Sequence, residues 1–158
     1  MLFRSVFFII IFVIAIAITS GAQDYKTGIG LRAGVPYGLT VKHFLNESHA
    51  LEGILASRWQ GFVITGLYQN EYWTGEYPGL NWYWGFGAHV GFWDAGANPR
   101  VSDTYTGSVI GADAILGIEY TFDSIPLNLS LDILPTVNII GYAGWGGING
   151  ALSVRYVF

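Results

Sequence analysis

Apolar and polar residues alternate along the stretch Leu80–Trp93, which reads LNWYWGFGAHVGFW. Its even-numbered positions are all apolar, while its odd-numbered positions are mostly small or polar. A period of two residues is that of a β-strand with two chemically different faces. The stretch is longer than the five or six residues usual in globular strands. It therefore predicts one long strand with an apolar face and a small, polar face.

The same alternation recurs in both directions from this stretch and predicts eight strands. They are Gly28–Ala33, Tyr37–Leu45, Ala50–Trp59, Phe62–Glu71, Leu80–Trp93, Ile110–Phe122, Leu127–Ile139 and Ala151–Phe158. The facing of the fourth strand is the least decided, and the preferred register turns Phe62, Ile64 and Tyr68 outward. Turn-forming residues dominate the connections, and Asp94–Thr106 and Gly141–Gly150 are predicted as outer loops. Eight short-linked antiparallel strands favour a sandwich or an up-and-down barrel.

The composition of the two faces predicts which side of such a barrel meets water. A soluble barrel needs many Lys and Glu residues on its outer face, yet these strands offer only one or two charges each. Charged residues make up 11% of the chain, against about 25% in an average soluble domain. The apolar faces hold more bulk than the lumen of an eight-stranded barrel accommodates. The pattern therefore predicts an all-β, eight-stranded antiparallel up-and-down transmembrane β-barrel.

Two further details follow from this arrangement. The aromatic pairs Trp82/Trp84, Tyr120/Phe122 and Tyr156/Phe158 fall at one rim of the predicted barrel, as an interfacial aromatic girdle requires. If the chain starts in the periplasm, this rim is the periplasmic one. Pro135 lies inside the seventh strand and cannot donate a ladder hydrogen bond, so a bulge or fraying is expected there.

The first 22 residues have the layout of a secretory signal peptide. Arg4 supplies a positive start, Val6–Ile18 is an unbroken apolar run, and small residues precede a cut between Ala22 and Gln23. The apolar run is shorter than the roughly 20 residues that a membrane-spanning helix needs. We therefore expect residues 1–22 to be a cleavable signal peptide and residues 23–158 to form the barrel.

The chain ends on alternating apolar residues, Leu152, Val154 and Tyr156, followed by the aromatic residue Phe158. Together with the export signal and the cysteine-free run of amphipathic strands, this ending resembles the small bacterial outer-membrane β-barrel proteins. The resemblance implies a location in the outer membrane, in contact with its lipids. It also implies that the signal read by the barrel-assembly machinery consists of Leu152, Val154, Tyr156 and Phe158. It says almost nothing about activity.

The polar faces of the predicted strands carry a balanced set of charges. Four bases and four acids point into the lumen: Arg32, Lys42, Arg58 and Arg155, with Glu52, Asp113, Glu119 and Asp132. Buried charges are tolerated only when they are paired, so a packed lumen is expected. The predicted function is that of a structural or interaction protein acting through its extracellular loops. Asp94, Arg100 and Asp103 are candidate loop contacts for an unidentified ligand.

Two other functions are compatible with the pattern. The resembled family includes lipid A deacylases and a lipid A palmitoyltransferase, and His89, Asp113 and Ser108 are candidates for a serine–histidine–acid arrangement. Against an enzyme, no histidine-x-serine pair of the deacylase kind occurs, and His89 is expected to face the lumen rather than the membrane. A narrow channel is the third function, although eight strands leave little open bore.

Nucleic acid, cofactors and metals are not expected as partners. The net charge of -4 gives no basic footprint for nucleic acid. The glycine-rich Gly141–Gly150 lacks the Lys-Ser/Thr pair and the following helix of a phosphate-binding loop, and no metal or cofactor site is predicted.

Overall fold

The computed structural model describes residues 25–34, 37–58, 61–93, 107–141 and 144–158, in which eight strands form a closed barrel. The strands are β1 (Thr27–Gly34), β2 (Tyr37–Phe44), β3 (His49–Arg58), β4 (Gly61–Trp73), β5 (Leu80–Trp93), β6 (Gly107–Thr121), β7 (Leu127–Ile140) and β8 (Gly144–Val157). Each strand pairs antiparallel with its neighbours in the chain, and β8 pairs with β1. The predicted all-β, eight-stranded up-and-down barrel is confirmed. Among the described residues, no helix is long and apolar enough to cross a membrane.

The predicted signal peptide with its cleavage site at Ala22 and Gln23 lies outside the described residues, as do the loop residues Asp94, Arg100 and Asp103. The short turns between β2 and β3, β4 and β5, and β6 and β7 lie at one end of the barrel, here called the turn end. The opposite end, where residues 94–106 connect β5 to β6, is called the loop end.

Along each strand, successive side chains alternate between the inside and the outside of the barrel wall. Every charged side chain that the structure describes within a strand is buried inside the barrel: Arg32, Lys42, Glu52, Glu71, Asp113, Glu119, Asp132 and Arg155. Most outward positions are apolar, and Leu31 and Phe86 are 65% and 57% exposed. Phe62 and Ile64 are also exposed, so the preferred register of the fourth strand is confirmed. The barrel is thus polar inside and apolar outside.

The barrel closes along the seam between β1 and β8, which pair from Gly28 with Val157 to Gly34 with Ala151. Phe158 extends the seam by one residue. Its amide donates to the Thr27 carbonyl at 2.9 Å, and its own carbonyl accepts the amides of Thr27 and Lys26. The last residue of the chain is therefore part of the hydrogen-bonded wall.

The loop end of β8 differs from the sequence-based expectation. β8 begins at Gly144, so most of Gly141–Gly150, predicted as a loop, belongs to a strand. Gly147 has a φ of 104°, in the left-handed region that favours glycine. The β7–β8 register shifts between Thr136 and Val137, opposite this residue. Glycine-rich sequence is typical of loops, but here Gly147 permits a bulge within a continuing strand.

Pro135 is accommodated by a gap in one ladder rather than by a bulge at the proline itself. The β6–β7 pairing passes from Leu116–Ile133 to Asp113–Thr136 without a change of register, and Pro135 has no partner on β6. On its other side Pro135 is paired with Ile148 of β8. The missing amide therefore interrupts the wall on one side only.

Candidate functional site in the barrel interior

Arg155 of β8 is the centre of a hydrogen-bonded network inside the barrel. Its Nη2 forms an ion pair with Glu52 Oε1, and its Nη1 donates to Asn128 Oδ1 at 3.1 Å and to Ser130 Oγ at 2.9 Å. The carboxylate of Glu52 also accepts hydrogen bonds from Thr40 and Gln69. Arg155 is 0% exposed. Both charges are thus paired and hydrogen-bonded, which is the condition for keeping them out of water.

Lys42 of β2 joins two carboxylates nearer the turn end. Its Nζ lies 2.9 Å from Glu119 Oε2 on β6 and 3.0 Å from Glu71 Oε2 on β4. The same ammonium lies 4.3 Å from the centroid of the Tyr83 ring, within the range of a cation–π interaction. Asn81 donates to the other oxygen of Glu71 at 3.0 Å. The cluster links strands on opposite sides of the barrel.

Tyr25 precedes β1 and lies across the turn-end mouth of the barrel. Its hydroxyl donates to Glu119 Oε1 at 3.1 Å, and its ring meets the Phe44 ring edge-on at 5.0 Å. Burial and the negative charge of Glu119 raise the pKa of the Tyr25 hydroxyl, so the group remains a hydrogen-bond donor. A cavity of about 820 Å³ opens at this mouth, with Tyr25, Glu71 and Glu119 in its wall.

A second arginine is paired near the middle of the barrel. Arg32 of β1 donates from both terminal nitrogens to Asp132 of β7, at 2.9 and 2.5 Å, and the Tyr83 hydroxyl donates to the same carboxylate at 2.9 Å. Gly117 makes room for this group. A Cβ added at Gly117 would lie 2.6 Å from the Tyr83 ring and 2.7 Å from Asp132 Cβ.

An apolar layer separates these networks from the loop end. Its buried aliphatic side chains are Ile54, Ala56, Leu67, Ile115 and Leu134, which form one cluster with the Tyr83 ring. Along β7, Leu134 follows Asp132 and precedes Thr136, and along β4, Leu67 lies between Gln69 and Thr65. The described interior is therefore polar, then apolar, then polar again from the turn end to the loop end.

His89 of β5 forms the polar group on the loop side of this layer. Its Nδ1 lies 2.8 Å from Asp113 Oδ1 on β6, and its Nε2 lies 2.9 Å from Asn138 Oδ1 on β7. A Cβ added at Gly111 would lie 2.4 Å from His89 Cε1, so this position also requires glycine. The expected proximity of His89 and Asp113 is observed.

The third member of the serine–histidine–acid candidate lies elsewhere. Ser108 is on the outward face of β6, where it pairs with Phe92, whereas His89 is buried inside the barrel. In a catalytic triad the nucleophile lies at the imidazole nitrogen that does not face the acid. At His89 that nitrogen faces Asn138. The geometry therefore brings the base and acid together without Ser108.

The remaining predicted lumen charges divide into those that the structure describes and one that it does not. Seven of the eight are buried inside the barrel; Arg58 ends β3, and its side chain lies outside the described part of the structure. Glu71 was missed, although its odd number in β4 places it on the same face as Gln69. With Glu71, the charged side chains that the structure describes within the strands are five acids and three bases.

The residues of the proposed assembly signal lie along the outer side of β8. Leu152 and Val154 are exposed, Tyr156 is half-buried, and the Tyr156 and Phe158 rings lie 6.3 Å apart.

No family model matches this chain, and neither a curated protein nor a solved structure matches it.

Proposed function

We propose that this chain is a small barrel of a bacterial outer membrane, with a solid interior and a structural or interaction role exerted at its surface. The observation that carries the proposal is the segregation of charge. All eight described charged side chains of the strands are buried inside, and most of the outward positions are apolar. Hydrocarbon is the environment in which such an outer surface is stable.

The height of the apolar surface supports the same proposal. Trp82 and Phe92 are outward residues near the two ends of β5. At about 3.3 Å per residue and a tilt of about 40°, the ten residue steps from one to the other span about 25 Å. This is the height of the apolar band of outer-membrane barrels, about 25 Å. Ring pairs lie at both levels: Tyr72 with Trp82, and Phe62 with Phe92.

The packed interior argues against a channel. An open pore needs a continuous hydrated path, whereas Leu67, Ile115 and Leu134 are buried in one apolar cluster inside the barrel. The charges on the turn side of this cluster are engaged with one another rather than lining an open bore. Contacts with an unidentified extracellular ligand are then assigned to the loops, with Asp94, Arg100 and Asp103 as candidates.

Cell fractionation of a Gram-negative bacterium that expresses the full chain tests this proposal. We expect the protein in the outer-membrane fraction, cleaved before Gln23, and migrating differently in unheated and boiled samples on an SDS gel. Recovery in a soluble fraction would contradict the membrane location. In planar lipid bilayers the purified barrel should produce no long-lived open level, and a steady ohmic conductance would favour the channel instead.

A further inference from the structure

The buried charges on the turn side of the apolar layer do not balance. In the described part of the chain, the acids are Glu52, Glu71, Glu119 and Asp132, and the bases are Arg32, Lys42 and Arg155. If every group carried its usual charge, this half of the interior would hold one unmatched negative charge. Burial disfavours the charged form of an unmatched carboxyl group and favours the neutral, protonated form. The count therefore favours one additional proton in this network.

Two of the four acids have a base of their own. Arg32 donates to Asp132 from both terminal nitrogens, and Arg155 is paired with Glu52. Arg155 approaches Glu119 only to 3.9 Å, which is beyond hydrogen-bonding distance. These two ion pairs therefore leave the other two acids to a single base.

Lys42 is that base, and it is shared unequally between Glu71 and Glu119. Its Nζ donates to Glu119 Oε2 at 2.9 Å and lies 3.0 Å from Glu71 Oε2. Glu71 Oε2 accepts no hydrogen bond from the described residues, although its side chain is only 2% exposed. The two carboxyl groups are within hydrogen-bonding reach of each other. A proton on Glu71 Oε2 would fill this gap, because a neutral carboxyl group can donate to the Glu119 carboxylate.

The other ionisable groups around this pair supply no second positive charge. Those that the structure describes are Tyr25 before β1, Arg32 on β1, Lys42 on β2, Glu52 on β3, Tyr83 on β5, Asp132 on β7 and Arg155 on β8, with Lys26, Glu47 and Asp123 in the wall of the turn-end mouth. The two tyrosine hydroxyls act as hydrogen-bond donors, and Lys26 is exposed rather than part of the buried network.

The position of Glu71 allows this proton to exchange with the solution. Glu71 contributes to the wall of the turn-end cavity, and Tyr25 lies across the same mouth with its hydroxyl on Glu119. Loss of the proton to water would turn Glu71 into a second carboxylate beside a single ammonium. Because an uncompensated buried charge is costly, Glu71 would then move towards the water in the mouth. The Tyr25 side chain covers this route.

We propose that Glu71 and Glu119 hold one proton between them, and that loss of this proton at alkaline pH loosens the cover that Tyr25 forms over the turn-end mouth. While the proton is present, the two carboxyl groups are joined by a hydrogen bond and together carry the one negative charge that Lys42 neutralises. The arrangement lies in the barrel interior and does not depend on the membrane location proposed above. It makes the turn end of the barrel sensitive to pH.

Urea unfolding in lipid vesicles at several pH values counts this proton. Above about pH 5 the carboxyl groups of the unfolded chain are ionised, so the folded state would bind one proton more than the unfolded state. Stability should therefore fall as the pH rises. The unfolding equilibrium constant of wild type should increase by about tenfold per pH unit relative to that of Glu71→Gln, which cannot lose a proton at this position.

Glu47→Gln is the matched control, because it removes an exposed carboxylate from the wall of the same mouth. It should retain the pH dependence of wild type. Parallel pH dependences of wild type and Glu71→Gln would overturn the shared proton, as would an equal change of slope in Glu47→Gln.

Infrared spectroscopy detects the same proton in wild type, without a substitution. At neutral pH we expect the C=O band of a neutral carboxyl group, which disappears as the pH is raised. Absence of this band at neutral pH would overturn the proposal even if Glu71→Gln failed to fold.

Amide hydrogen exchange measures the cover. The Phe44 amide donates to the Lys26 carbonyl, next to Tyr25, at 2.8 Å. As the pH rises, exchange at Phe44 should become faster in wild type than in Glu71→Gln at the same pH. Equal exchange in the two proteins would overturn the loosening of the Tyr25 cover.

Discussion

Arg32 and Asp132 lie 100 residues apart in the chain, and two parallel hydrogen bonds join them inside the closed barrel. The pair connects β1 to β7 across the intervening β8, so it braces the wall on both sides of the seam. Its two charges are 0% exposed at their side chains. Because neither side chain is exposed, water cannot take the place of a lost partner.

Removal of one member of this pair should therefore be more harmful than removal of both. Asp132→Ala is expected to lower the free energy of unfolding by about 3–5 kcal/mol, because it leaves a buried guanidinium unpaired. Arg32→Met combined with Asp132→Leu should recover most of this loss. Urea unfolding in lipid vesicles measures both. A double variant that is as unstable as the sum of the single variants would show that the charges themselves stabilise the barrel.

Two glycine substitutions provide a test of interior packing. Gly117→Ala should destabilise the barrel by about 1–3 kcal/mol, because its Cβ would lie 2.6 Å from the Tyr83 ring. Gly53→Ala is the control, since its Cβ points outward and meets nothing within 4 Å. Equal stabilities of the two variants in the same urea titration would mean that Tyr83 does not occupy the space beside Gly117.

Arginine substitutions on the outer face test the membrane proposal through energetics. Phe86→Arg and Leu116→Arg lie midway along β5 and β6 and should each destabilise the barrel in a bilayer by about 2–4 kcal/mol. Ser57→Arg, at the loop end of β3, should cost only about 0–1 kcal/mol. The comparison uses refolding into vesicles. If position along the strand had no influence on these losses, the outer face would not lie in a hydrocarbon layer.

Phe158 allows the assembly signal to be separated from the structural role of the same residue. Deletion of Phe158 removes three backbone hydrogen bonds at the seam, whereas Phe158→Ala keeps the backbone and removes only the ring. Deletion should lower both the in vitro stability and the level in the outer membrane. Phe158→Ala should lower mainly the level in the outer membrane. Normal levels of Phe158→Ala in cells would show that the aromatic ring is not read during assembly.

The architecture was predictable because the alternation of apolar and polar residues along each strand determines which side chains point outward. In β5 and β6 every second residue from Trp82 to Phe92 and from Ile110 to Tyr120 is apolar, and a shift by one residue would bury this whole set with the charges outside. Only one register therefore places the apolar residues on the outer face and the charged residues on the inner face. The same argument placed seven of the lumen charges and the His89–Asp113 contact correctly.

Other features depend on three-dimensional details that parity does not contain. The sequence pattern ends the fourth strand at Glu71 and does not identify this residue as a lumen charge, whereas β4 continues to Trp73 and leaves Glu71 within reach of Lys42. The sequence pattern starts the last strand at Ala151 rather than at Gly144, because glycine-rich segments suit both loops and bulged strands. Ser108 was close to His89 in the pairing scheme but on the opposite side of the wall.

The seam between β1 and β8 is the one ladder that joins strands far apart in the chain. Seven of the eight ladders join strands that follow one another in the chain, and each of these hairpins can form from nearby residues. The eighth pairs Gly28 with Val157 and encloses almost the whole barrel domain as a loop. The entropy of closing so long a loop is offset only when the complete ladder forms. We therefore expect the seven-ladder sheet to be an open ribbon with two unpaired edges, and its conversion to a cylinder to be a single late event that involves the first and the last strand.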